Sequence, residues 1–408
     1  MQVTEIRVKN FKALQNVHVE NIPGFAVFIG ANGAGKTTLI DLFGFLKSCL
    51  IGDVRSALQA RGGFEQVVSR GHEQEAIEIE LKLKLDLRDD TQDKEYSRVV
   101  TYHLEIAQDG RQPVVRREIL RFRRAQHTGQ PYHFLDFKNG IGEAVKETTD
   151  AFNPNVDYKD LPRETYRLDK PFFLAVKALG QLADFQAVRQ LRELIEQWTV
   201  SDFHIEDARG EPDAAPAEHL SATADNLALF AQYLYEDHRE IFDEVVHRMT
   251  SRVPGVAEVK AHDTGDGRVV LQFRDRAFDK AFIARSVSNG TIKMFAYLLL
   301  LADPSPHPLL CVEEPENQLY HSLLPILAEE FAAYAQRRKG DGQVFVTTHS
   351  PDFLSSVPLE SIYWLQKTDG YTSIHRAADN DQLKSLIAEG DRPGWLWREG
   401  LFKGVDPR

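Results

Sequence analysis

Polar and apolar residues alternate from Val3 to Phe11, and the pattern over Val3 to Gly30 predicts two short strands followed by a buried strand, Ala26 to Ile29, that runs into a glycine-rich turn at Gly30. A helix is expected at once, because Thr38, Leu39, Leu42, Phe43, Phe45 and Leu46 share a broad apolar face and Gly52 lies near its end. Beyond it, Ile77, Ile79, Leu81, Leu83, Leu85 and Leu87 alternate with Glu78, Glu80, Lys82, Lys84 and Asp86, the period of a half-buried strand. Two further strand-like runs, Arg98 to Ile106 and Val114 to Arg123, complete an antiparallel meander. The middle of the chain turns helical. Leu182, Phe185, Val188, Leu191, Ile195 and Trp198 recur at three or four residues, as do Leu227, Phe230, Leu234, Ile241, Val245 and Met249. Neither run is long enough for a coiled-coil arm. Ala208 to Pro216 reads as a loop, and Gly255 to Asp275 as a hairpin turning at Thr264 to Gly267. The last third alternates strand and helix, as a parallel sheet with crossovers does.

Composition narrows the class. At 408 residues, 42% hydrophobic and 27% charged, the chain is long enough for two or three structural units with substantial cores. A net charge of −12 argues against a surface that coats nucleic acid or anionic membrane as a whole. A local basic patch stays open: Arg111 to Arg124 carries six arginines, which could lie along a phosphate backbone or pair with the acidic strand around Glu78 and Glu80. Cys49 and Cys311 are too few for a disulfide framework and fit a reducing compartment. The start lacks the apolar core of a signal peptide, and Met294 to Ala302 is about half of a bilayer span. The expectation is a cytoplasmic protein with no membrane partner.

Four segments carry chemistry. Gly30 to Thr38, GANGAGKTT, matches G-x-x-x-x-G-K-[ST] between a buried strand and an amphipathic helix, the setting of a phosphate-binding loop. Backbone N–H groups around Gly30, Asn32, Gly33, Ala34 and Gly35 would cradle phosphate oxygens, with Lys36 reaching the β- and γ-phosphates. Thr37 would offer its hydroxyl to Mg²⁺, and Thr38 continues the helix start. In Leu309 to Asn317, LLCVEEPEN, an apolar strand ends in two adjacent carboxylates, which a cation explains: Glu313 in the Mg²⁺ shell and Glu314 as general base on the attacking water. His349 ends the strand of Gln343 to Pro351, and Ser288 and Gly290 open the apolar helix from Thr291 to Ala302.

Taken in order, GANGAGKTT, SVSNG, LLCVEEPEN and TTHSP resemble the nucleotide-binding head of the ABC ATPase superfamily, most closely the stand-alone ATPases related to RecF, the SMC proteins and the overcoming-lysogenization-defect nucleases. The resemblance runs from about Thr4 to Val357. It implies an α/β P-loop NTPase fold in two lobes, with an antiparallel β lobe and a helical insertion. It further implies ATP and Mg²⁺ as cofactors, a homodimer in ATP in which Ser288 and Gly290 cap the γ-phosphate held by the other subunit, a crossing loop at Asn317 to Tyr320, and a switch role for His349. A glutamine that senses Mg²⁺ should lie between the first two motifs, and Gln181 is the candidate. The signature here reads VSNGT rather than LSGGQ, and Glu313 stands where most relatives have Asp.

The corresponding division is an N-terminal lobe over 1–175, a helical insertion over 176–255, a C-terminal lobe over 256–360 and a tail over 361–408 that packs on the head. The function expected is an ATP-driven dimerisation switch in DNA repair or anti-phage defence, working with a separate effector. Rivals are a nucleotide-binding subunit of a membrane transporter and a scaffold that binds ATP without hydrolysing it. The nuclease relatives carry a metal-dependent domain after the switch histidine; the short stretch after His349, with Asp379 and Asp381 in a polar loop, is not expected to cut nucleic acid.

Overall fold

The structure, a computed structural model, describes residues 2–89, 94–122, 132–146, 160–338 and 342–403. Strands β1 (Gln2–Phe11), β2 (Leu14–Val19) and β3 (Phe25–Gly30) lead into α1 (Lys36–Ile51). The short helices α2 (Val54–Gln59) and α3 (Phe64–Val67) precede β4 (Ile77–Asp89), β5 (Lys94–Asp109), β6 (Gln112–Phe122), β7 (Tyr132–Lys138), β8 (Ile141–Val145) and β9 (Arg163–Arg167). The middle holds α4 (Ala175–Leu179), α5 (Gln186–Glu196), β10 (Thr199–Ser201), α6 (Ile205–Ala208), α7 (Leu227–Asp237) and α8 (Arg239–Arg252). A hairpin of β11 (Val256–Asp263) and β12 (Val269–Asp275), then β13 (Phe282–Ile283), reaches α9 (Asn289–Leu300). Last come β14 (Leu309–Glu313), α10 (Leu324–Arg337), β15 (Gln343–Thr348), α11 (Pro351–Leu354), β16 (Ile362–Thr368), β17 (Tyr371–Arg376), α12 (Asp381–Ala388) and α13 (Pro393–Arg398).

One sheet, in the order β10-β14-β15-β3-β16-β17, forms the centre. Its first five strands are parallel and β17 returns antiparallel. Side chains alternate across it. Ala26, Phe28, Cys311, Phe345 and Tyr363 join a core with α1, α5 and the antiparallel sheet. Val27, Ile29, Val312, Val346 and Trp364 join a second core with α7 to α10. Both faces are thus covered, which is why β3, β14 and β15 are apolar runs rather than alternating ones. Among the described residues no helix is long and apolar enough to cross a membrane.

Strand pairing crosses the divisions at 176, 256 and 361. The helical segment supplies β10 to the edge of the central sheet, paired with β14, and the tail supplies β16, which pairs directly with β3. Leu396, Trp397 and Phe402 are buried in the second core, while Trp395 is half exposed. The periodic run from Leu227 to Met249 is two helices, because His238 leaves helical geometry (φ −132°, ψ 51°) and its ring bonds the Tyr233 hydroxyl at 2.8 Å. Leu182, on the expected face of α5, precedes that helix and is exposed.

The antiparallel sheet runs β2-β1-β4-β5-β6-β7-β8-β9. The arginine-rich strand β6 therefore pairs with β5 and β7 rather than with the acidic β4. Its charges are nonetheless matched: Arg116 lies 3.1 Å from Glu105, Arg117 3.1 Å from Asp136, and Arg121 crosses over β5 to reach Glu80 at 3.0 Å. Arg123 and Arg124 lie outside the described residues. Three of the six arginines are thus engaged in ion pairs within the sheet.

Glu118, on the same strand, is fully buried and accepts hydrogen bonds from the Ala175 and Val176 N–H groups at the start of α4 and from the Tyr102 hydroxyl. Burial pushes its carboxyl up to about 7, against these three donors. A folded pKa above the unfolded one means that the native state keeps a proton the unfolded chain has lost. The stability this contributes is fully present below pH 4.5 and is lost as pH rises towards 7, by about 3 kcal/mol. Glu118→Gln removes the titration, so its denaturation midpoint relative to the wild type should climb between pH 5 and 7. A constant difference across that range would show that Glu118 stays ionised in the fold.

Candidate nucleotide-binding site

Ligand sites in open α/β sheets collect at the carboxyl ends of strands. Here the register sets four such ends side by side: Ile29 opposite Thr348, Thr347 opposite Glu313, and Val312 opposite Ser201. Gly30, His349, Glu314 and Asp202 therefore follow along one edge.

The loop from Gly30 to Gly35 needs its glycines for conformation. Gly33 (φ 77°) and Gly35 (φ 105°) sit in the left-handed region, and a Cβ on Gly35 would strike the Thr372 side chain. Thr372, on β17, donates its hydroxyl to the Ala34 carbonyl at 2.8 Å and so braces the loop from the tail. Asn32 and Gly33 are exposed, and Thr38 is half-buried on α1. Lys36 is only 5% exposed; its Nζ donates to the carbonyls of Gly30 (2.8 Å) and Ala31 (3.2 Å), and lies 3.9 Å from Glu314 Oε1. Burial draws its pKa down, opposed by Glu314, Glu316 and Glu313. The ammonium is thus held at the mouth of the loop by groups that an anionic ligand can replace.

Thr37 donates its hydroxyl to Glu313, and burial pushes the Glu313 carboxyl up to about 7, with Asp202, Glu314 and Asp41 acting in the same direction. Crowded acids beside a threonine hydroxyl fit a hard divalent cation, whose charge would offset the cost of ionising them. Glu314 has φ 40°, a left-handed conformation that costs an ordinary residue about 1–2 kcal/mol. Its N–H still donates to the Thr347 carbonyl at 2.9 Å, so the last rung of β14 is kept while the side chain is turned out over the phosphate loop. His349 Nδ1 lies 3.5 Å from Glu314 Oε1 and 3.2 Å from Glu316 Oε1.

Two residues here were not singled out in the sequence. Glu316 is buried, and its Oε1 accepts from the Thr348 hydroxyl (2.8 Å) and the His349 N–H (2.6 Å), fixing the strand end that carries the histidine. Asp202 follows β10, raises the Glu313 pKa, and lines a cleft of about 340 Å³ with Lys293 and Asn317. Only knowledge of the β10–β14 pairing could have found it.

Gln181 is a correction. It is exposed in the turn after α4, and nearby Lys177 bonds the carbonyls of Ile51 and Gly52 at the far end of α1. At 1.5 Å per residue that end lies about 20 Å from Thr37. Asp202, by contrast, lies close enough to Glu313 to raise its pKa.

Ser288 caps α9: its Oγ accepts from the Thr291 N–H at 3.3 Å, and none of its hydrogen bonds reaches the phosphate loop. A Cβ on Gly290 would stand 3.4 Å from the Gln318 carbonyl, so the helix start and the Asn317 to Tyr320 loop are in contact. Lys293 adds a bond from α9 to the Asn317 carbonyl at 2.8 Å.

Residues 25–355 match the protein family described as "AAA domain, putative AbiEii toxin, Type IV TA system". Among solved structures, an SMC head bound to the C-winged helix domain of ScpA aligns with a TM-score of 0.52 at 12% identity, covering 92% of this chain and 98% of that one. An SMC head with an extended coiled coil bound to the C-terminal domain of ScpA, from Pyrococcus furiosus, gives 0.49 at 10% identity, covering 95% and 99%. The first likeness places the two-lobed α/β architecture with the SMC heads, and the family match spans every motif described above. The chain belongs to this AAA-domain family, and its fold is an ABC/SMC-like P-loop ATPase head.

Proposed function

We propose that the chain is a Mg²⁺-dependent ATPase that uses ATP to close two copies of itself into a switch governing a separate effector. The observation that carries this reading is the meeting of Lys36, the Thr37–Glu313 pair and the Glu314–His349 pair along one sheet edge. Bound Mg²⁺·ATP would supply the phosphoryl group and the charge that draws Thr37, Glu313 and Asp202 together. Lys36 exchanges the Gly30 and Ala31 carbonyls for phosphate oxygens. Glu314 takes the proton of the attacking water, and His349, 3.5 Å away, orients that carboxylate and reports the γ-phosphate.

Ser288 and Tyr320 are both exposed, Tyr320 at 73%, and the helix start and the loop that carry them are in contact, which leaves both free to meet a second head. The family description names a toxin of a Type IV toxin–antitoxin system, which supports a defence role over repair. A Glu314→Gln protein should therefore run as a dimer in ATP by light scattering. Adding Ser288→Arg should return it to monomer, with a melting temperature lowered by no more than the loss of one helix cap, about 1 kcal/mol. The same mass for both proteins with and without ATP would refute the closing of two heads.

A further inference from the structure

Far along the chain from the phosphate loop, three segments meet behind the signature helix: the end of α5 at Gln197, the loop before α7 at His219, and the turn after α9 from Asp303 to His307. Candidate ligand atoms of His219, Asp303 and His307 lie within 4.8 Å of one another. The Asp303 side chain is 1% exposed, and its two oxygens have separate tasks. One accepts the Ser305 N–H at 2.8 Å and fixes the carboxylate plane. The other faces both imidazoles, at 2.8 Å from His219 Nδ1 and 3.9 Å from His307 Nε2.

His307 is oriented from behind. Its Nδ1 lies 3.1 Å from the Gln197 carbonyl, which can only accept, so the ring proton sits on Nδ1 and Nε2 presents a lone pair. That Nε2 is shut off from solvent and has no hydrogen-bond partner. A lone pair aimed at a buried carboxylate oxygen is repulsive, and a second proton on Nε2 would still be too far from that oxygen to bond. A cation between them resolves both faults, and a metal-ligating histidine ordinarily donates its other N–H to a carbonyl or carboxylate, as His307 does. The His219 loop is built to hold its place: its own carbonyl accepts from Asn226 Nδ2 at 2.9 Å, and Asn226 Oδ1 accepts the Ser221 N–H at 2.9 Å. His219 is about half exposed, leaving a fourth position open to water.

We propose that His219, Asp303 and His307 form a second metal site, for a divalent transition ion of the zinc type, distinct from the Mg²⁺ shell at Thr37 and Glu313. Two imidazoles and one carboxylate are the donor set of open four-coordinate zinc sites, whose bonds of about 2.0–2.2 Å need ligand atoms roughly 3.3 Å apart. The ion would tie the loop before α7 to the end of α9, the helix whose other end carries Ser288. It would therefore stiffen the support of the signature motif without touching nucleotide.

The test uses the full chain, stripped with chelator and free of nucleotide, titrated with Zn²⁺ and, as a spectroscopic probe, Co²⁺. One ion per chain, the visible absorption of four-coordinate cobalt, and a melting temperature raised by about 3 °C at saturating Zn²⁺ are expected. His307→Gln should weaken Zn²⁺ binding more than about 100-fold, since even residues behind the ligands are worth 10- to 100-fold. The half-exposed His219→Gln should do the same if His307→Gln fails to fold. ATP affinity should be unchanged in His219→Gln. No cobalt band and no Zn²⁺-dependent melting shift in the wild type would overturn the site. So would binding that persists in His219→Gln and disappears in Thr37→Ala, which would put the ion at the phosphate loop.

Discussion

A Glu314→Gln protein is expected to bind ATP as the wild type does and to lose turnover by about 10²- to 10⁴-fold. The amide keeps the shape of the side chain and its left-handed backbone, so the phosphate loop and Lys36 are undisturbed. It cannot accept the proton of the attacking water, and a general base contributes rate in that range. The change also removes a negative charge 3.9 Å from the Lys36 ammonium and from the acids around Glu313, so ground-state binding should hold or tighten. Single-turnover hydrolysis with equilibrium nucleotide binding separates the two effects. Turnover within a few-fold of the wild type would remove Glu314 from the chemistry and leave His349 or Glu313 as the base.

Much of this site was legible because its requirements are local. The phosphate loop declares itself through Gly33 and Gly35, whose positive φ glycine adopts without a Cβ penalty, and through a lysine fixed immediately after them. The paired Glu313 and Glu314 stand out because an apolar strand has no structural use for them. The TGDG turn joins β11 to β12 as its residue types require. Partners set by long-range pairing left no such mark. β10 is three residues long, too short for any period to show, and its neighbour β14 lies more than a hundred residues on. Asp202, following that strand, reads as an ordinary loop acid. The same cause leaves Gln181 without support as a metal neighbour: between the first two motifs the sequence offers composition but no register. β16 pairs with β3 across nearly the whole chain, so what reads as a tail is in fact an inner strand of the ATPase sheet. His238 breaks a helix without glycine or proline, because apolar spacing carries on across the break.

Lys36→Ala is expected to abolish the stabilisation that ATP confers. In the folded chain the Lys36 ammonium is the group that both sides of the site share. Its Nζ bonds two loop carbonyls on one side, and Glu314, Glu316 and Glu313 all act on it from the other. Without it, the triphosphate would enter a pocket whose nearest side-chain charges are carboxylates, and the loop N–H groups alone would have to offset them. Charge-assisted hydrogen bonds of this kind are worth about 1.5–3 kcal/mol each, and Lys36 would reach two phosphates, so affinity should fall by a factor of a hundred or more. A ligand at a hundred times its dissociation constant stabilises the fold by about 2.7 kcal/mol, and that gain should vanish in the variant at the same ATP concentration. Melting in ATP against melting in buffer reads this directly, because the comparison is internal to each protein and cancels whatever the substitution does to the unliganded fold. An ATP-dependent rise in Lys36→Ala equal to that of the wild type would show that nucleotide binds elsewhere than at the strand ends, and the assignment of the whole edge would fall with it.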